Sequence, residues 1–195
     1  TTQYAESVVS GDVIACRYVQ LACQRHLDDL KKDWRYHFDP ELANKFFRFC
    51  KYLKHYKGEK RGEVFDLEPW QMFVYGNIYG WVDAEDNWRY KTAYIEVPRK
   101  NGKTTMSAGA CYDSAISTRS GAEVYCVATK EAQAKLLFND CLAYVNQSEE
   151  LKNIFTSVLN SLFVNGTART SFIRPLGSDS HRLDGLNPLA VYADE

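Results

Sequence analysis

The chain has 195 residues, 45% of them hydrophobic and 25% charged, with a formal net charge of −1. That length and apolar content suffice for a sizeable core, read as one domain with an appendage. The near-neutral balance excludes a global basic footprint for nucleic acid, so any polyanion contact has to be local. No apolar run approaches membrane-spanning length, and the N-terminus lacks a signal-peptide pattern.

Residues 1–62 read as an N-terminal helical segment. From Gly11 to about Lys32, Val13, Ala15, Cys16, Val19, Ala22, Cys23 and Leu30 recur near helical spacing. Asp39-Pro40-Glu41 reads as a helix start, with Asp39 as cap and Pro40 in the first turn. That helix is expected to run to about Tyr56, with Leu42, Phe46, Phe49, Cys50 and Leu53 on one face. Lys51, Lys54, Lys57, Lys60 and Arg61 follow as a basic cluster, either a solvated helix end or a DNA contact. The six cysteines, Cys16, Cys23, Cys50, Cys111, Cys126 and Cys141, contain no CxxC pair. They read as reduced core residues of an intracellular protein rather than as disulfides or zinc ligands.

Residues 63–195 read as the core of the chain. The stretch Phe65–Trp81 is rich in aromatics around Gln71. A glutamine amide can pair bidentately with the N6/N7 edge of adenine, and an aromatic can pack on the base. An aromatic core helix with an exposed Gln is the other reading.

Ala93-Tyr-Ile-Glu-Val97 is a short apolar run of β-formers, expected as a buried strand that Pro98 helps to end. The next residues, Arg99-Lys-Asn-Gly-Lys-Thr-Thr105, read as a phosphate-binding loop. Gly102-Lys103-Thr104 fits the Gly-x4-Gly-Lys-Ser/Thr (Walker A) pattern, but Val97 stands where its first Gly belongs. Gly102 permits the tight turn that faces successive N–H groups to one anion. Lys103 would reach the β- and γ-phosphates of ATP, and Thr104 would place its hydroxyl on Mg2+. Thr104 to about Thr118 then reads as a helix whose positive N-terminal end supports phosphate binding.

Strand and helix alternate onward, which suggests a parallel sheet. Ala122–Ala128 is an expected strand, and Thr129 an expected cap for a helix running to about Val145. Asn165-Gly166 signals a hairpin between 162–164 and 170–173. The polar loop Ser178–Gly185 carries Arg182, either a fork that neutralises charge on the γ-phosphate or a solvated loop arginine. His181 shows no base or metal partner. Leu189–Ala193 is a further buried strand, followed by Asp194-Glu195. A carboxylate after such a strand is where phosphate-loop enzymes hold Mg2+ (the Walker B position), a role that falls to Asp194. Glu195 would orient the attacking water. The chain starts without Met and stops directly after this apolar run, as expected of a piece of a longer protein.

In this order the motifs resemble the ATPase domain of phage large terminases, the motors that package viral DNA. The resemblance rests on Pro69-Trp70-Gln71, Arg99–Thr104, His181-Arg-Leu-Asp-Gly185 and Val191–Glu195, with Val8–Gly11 and Leu21–His26 in support. It implies an α/β fold of the RecA-like (ASCE) P-loop NTPase type, a mostly parallel sheet flanked by helices. It implies ATP hydrolysis coupled to translocation of double-stranded DNA into a procapsid in the host cytoplasm. Portal protein, small terminase subunit and a ring of copies are the implied partners. Gln71 becomes an adenine reader, Arg99 a γ-phosphate contact, and Arg182 a finger acting from a neighbouring subunit. A C-terminal nuclease, expected for the family, falls outside this chain. The rival readings are another phosphate-loop motor, such as a helicase, and a non-catalytic nucleotide-binding module.

Overall fold

The computed structural model describes residues 1–117, 121–177 and 185–193. They form two compact units, Thr1–Cys50 with Asp66–Ile95, and Lys51–Phe65 with Glu96–Glu195. The boundary is thus not a single cut. Residues 51–65 leave the first unit and join the second before the chain returns.

The first unit contains α1 (Thr2–Ser10), α2 (Arg17–Asp29), α3 (Pro40–Cys50) and α4 (Pro69–Gly80), with a short antiparallel pair β1 (Tyr36–Phe38) and β2 (Trp81–Asp83). Gly11 lies at φ 91° and closes α1, so it ends a helix where the sequence suggested a beginning. Asp39 does cap α3: its Oδ1 accepts from the N–H groups of Glu41 (2.7 Å) and Leu42 (3.3 Å). That helix stops at Cys50 rather than near Tyr56. Its Phe46 stacks on Tyr75 and Tyr79 of α4, with centroids 4.9 and 4.8 Å apart. Those aromatics of α4 are buried core side chains.

Two buried polar centres organise this unit. Asp29, 2% exposed, meets Arg89 at 2.7 Å and Lys32 at 2.6 Å. Burial pushes the Asp29 carboxyl up, but hydrogen bonds and charge from Lys32 and Arg89 outweigh it and hold the group below its ordinary value. The Arg89 guanidinium also sits over the rings of Trp34 (4.5 Å), Tyr90 (4.8 Å) and Trp81 (5.1 Å). His26, 2% exposed, is held between Thr2, Asn77 and the Trp81 indole N–H. Burial lowers its pKa, against a hydrogen bond with Asn77 that raises it.

The second unit is a five-stranded sheet with helices packed on it. Its strands are β3 (Glu123–Ala128), β4 (Phe155–Val158), β5 (Ser161–Val164), β6 (Phe172–Gly177) and β7 (Pro188–Ala193), in the order β4-β5-β6-β3-β7. β6 and β7 flank β3 in parallel, and β4 and β5 add antiparallel beyond β6. The sheet is therefore parallel at its centre, as the α/β reading requires. Pro175 fits in β6 because pairing with β5 reaches only Ile173, so that side needs no further N–H. The 165–171 connection between β5 and β6 is longer than a two-residue turn, and Gly166, Ala168 and Arg169 in it take positive φ.

Helix α5 (Lys103–Ser117) and helix α6 (Glu131–Gln147) pack on this sheet, and α7 (Glu149–Ile154) leads into β4. Thr129 does not cap α6; Lys130 holds that position and Thr129 donates to the Gln133 side chain at 3.2 Å. The predicted strand Ala93–Val97 does not form. It pairs with no strand among the described residues and is largely exposed, Tyr94 to 87%. β-propensity is a fit to a pleated neighbour, and no strand pairs with it among the described residues. β7 pairs with β3 alone among the described residues, and its Leu189 and Val191 remain 39% and 52% exposed.

The two buried centres make distinct predictions. Arg89→Met should destabilise the protein by about 3 kcal/mol near neutral pH, because Asp29 stays buried and charged. Asp29 titrates below its ordinary 3.8, so its contribution is intact above that value and fades below it. The deficit measured by urea unfolding should therefore shrink in acid. His26 takes up its proton more readily in the unfolded chain. Stability should accordingly drop as pH falls below 6.5, and His26→Gln should flatten that slope.

Candidate nucleotide site

The phosphate loop lies in the second unit and leads directly into α5. Gly102 takes φ 76° and Lys100 φ 68°. The first is free for glycine; the second costs an L-residue on the order of 1 kcal/mol, a strain typical of functional loops. Asn101 steadies the turn, its Nδ2 donating to the carbonyls of Pro98 (3.1 Å) and Arg99 (3.3 Å). Met106 N–H then bonds Gly102 O at 2.9 Å and starts the helix. The Lys103 ammonium folds back to donate to Val97 O at 2.9 Å. The position that lacks the usual glycine thus supplies a carbonyl to the loop's own lysine.

A cavity of about 430 Å³ opens beside this loop, within the range of small-molecule sites. Its wall holds Arg99, Lys100, Gly102, Lys103, Thr104 and Thr105. Gln133, Leu136 and Asp140 of α6 and Lys57 of the first-to-second-unit excursion complete it. α6 begins just after the carboxyl end of β3, so the cavity borders the strand ends where open α/β sheets bind ligands. Four cations face one carboxylate, a charge balance that suits a polyphosphate.

The remaining sequence-predicted residues are distributed as follows. Arg99, Lys100, Asn101, Gly102, Lys103, Thr104 and Thr105 are gathered in the loop and the first turn of α5. Gln71 belongs to the other unit and is 4% exposed. Its Oε1 accepts from the Glu68 N–H at 2.9 Å, and the Glu68 side chain reciprocates at the start of α4, forming a capping box. Bidentate pairing with adenine would require that oxygen to leave Glu68. His181, Arg182, Asp194 and Glu195 lie outside the described residues.

The sequence reading placed Lys57 in a basic cluster rather than at this cavity, and it missed Gln133, Leu136 and Asp140. No local signal joins them, since Lys57 and Asp140 are 83 residues apart and meet only in the fold.

A second cluster is formed by Cys111, Cys126 and Cys141, whose sulfurs lie within 4.8 Å of one another in the core. Burial pushes the Cys111 and Cys141 thiols well above their usual range. A metal would need them as thiolates, so the environment favours core packing over ligation.

Residues 69–195 match the family model of the terminase large subunit, ATPase domain. The chain belongs to this family. The terminase ATPase domain also shares its fold with the crystal structure of the HK97 bacteriophage large terminase, at a TM-score of 0.63 and 21% identity. That match covers 78% of this chain and 31% of the HK97 protein, so the chain spans less than a third of that terminase's length. No curated protein matches the sequence. Family membership makes this a nucleotide-binding ATPase domain.

The strained loop residue offers a direct check. Lys100→Gly should raise stability by roughly 0.5–1 kcal/mol in equilibrium urea unfolding, because glycine accepts the left-handed conformation freely.

Proposed function

We propose that this chain is the ATP-hydrolysing part of a viral DNA-packaging motor and that the cavity beside α5 is its nucleotide site. The observation that carries the reading is the cationic loop at the start of α5, within a chain of the terminase ATPase family. Lys103 reaches the phosphates by leaving Val97 O. The N–H groups at the start of α5, with Lys100, Asn101, Gly102 and Thr105, cradle the phosphate chain. Arg99 meets the γ-phosphate from within the loop, and Arg182 neutralises charge there from its own or a neighbouring subunit. Gln71 reads adenine once its oxygen leaves Glu68.

The donor set fits Mg2+, since Thr104 lines the cavity and its hydroxyl, with the carboxylate assigned to Asp194, would give hard oxygen donors. Bound there, the ion would offset phosphate charge. Glu195 then orients the attacking water and takes up its proton.

In the parent protein this hydrolysis drives double-stranded DNA into a procapsid in the host cytoplasm. Subunits work as a ring docked on a portal, with a small subunit supplying DNA and a nuclease domain cutting it.

Turnover by the parent protein tests the catalytic assignment. Lys103→Ala and Glu195→Gln should each reduce steady-state ATP hydrolysis by roughly a hundredfold or more. Wild-type rates in either variant would overturn the assignment.

A further inference from the structure

Residues 51–65 fold as an irregular hairpin. Lys54 bridges Val64, Phe65 N–H bonds Leu53 O at 2.7 Å, and His55 and Gly62 close the interior. Gly58 and Gly62, at φ 77° and 89°, make its bends. The hairpin is fastened to α6 through Tyr56 and Lys57. Tyr56 packs edge-on against Tyr144, with centroids 5.6 Å apart, and its hydroxyl donates to the buried Asp140 carboxylate. Lys57 donates to the same carboxylate oxygen at 3.1 Å and to the Tyr56 oxygen at 2.7 Å.

This arrangement orients a cation toward the phosphate loop. The Lys57 side chain is 67% exposed while Asp140 is almost fully buried, so the carboxylate holds the base of the assembly and the ammonium faces the cavity. An ammonium has three donors, and two are accounted for. The Tyr56 hydrogen bond raises its pKa, against burial that lowers it, so Lys57 stays charged.

We propose that Lys57 is a polyphosphate-binding residue of this pocket, presented by the 51–65 hairpin and oriented by Asp140 and Tyr56. The inference rests on the phosphate-loop reading of the same cavity. It makes the hairpin part of the site, so that a segment encoded well before the loop contributes directly to substrate binding.

Binding of a fluorescent ATP analogue to the 195-residue chain, and its displacement by inorganic tripolyphosphate, tests this. Lys57→Met, at an exposed side chain, should weaken both by about tenfold, the effect of losing one charged hydrogen bond. Lys57→Arg should restore most of that loss. Lys103→Ala should weaken both more strongly. If Lys103→Ala weakens binding and Lys57→Met does not, the hairpin inference fails and the loop reading stands. If Lys57→Met weakens the analogue but not tripolyphosphate, Lys57 is only a clasp and the inference fails. If the chain binds neither probe, or Lys103→Ala binds like wild type, both readings fall.

Discussion

The site depends above all on the burial of α5. Met106, Ala108, Ala110, Cys111, Tyr112 and Ala115 are each at most 1% exposed, so the helix has almost no freedom to slide or rotate. Polar ties then fix its register. The Tyr112 hydroxyl donates to Cys141 O of α6, and the Tyr192 hydroxyl of β7 bonds Ala110 O at 3.0 Å. A loop of exposed cations is intrinsically mobile and self-repelling. Attached to a helix gripped in this way, it delivers its N–H groups and Lys103 to one place.

The pocket combines two kinds of stability. One wall is the rigid packing of α5 and α6 on the sheet. The other is a strained turn and a hairpin fastened by a tyrosine, a lysine and a buried carboxylate. Binding sites commonly join a stiff frame to a few weakly held groups, because the frame sets geometry while the loose groups adapt to charge.

Much of this was legible in the sequence, and the misses share one cause. Asp39 as a cap, the loop-to-α5 transition and the β3 strand all follow from signals within a few residues. Ala93–Val97 carries the composition of a strand, but a strand also needs an edge to pair with, and composition does not encode that. Lys51, Lys54, Lys57 and Lys60 recur every third residue and mimic a helix face; Gly58 and Gly62 instead turn the chain into a hairpin. Gln71 was noticed for its amide, and the Glu68 three residues before it, which makes the capping box, was not. The aromatic box around Arg89 and the Lys57–Asp140 contact join residues far apart in the chain, beyond the reach of any local pattern.

The open side of β7 has a consequence for handling the protein. A parallel edge without a partner strand among the described residues, with Leu189 and Val191 partly exposed, is a template for strand addition. It is short and carries no lysine or glutamate to repel a neighbour. Six residues at one border of the sheet thus form a surface through which copies can associate. A charge placed at that border is the direct way to blunt it.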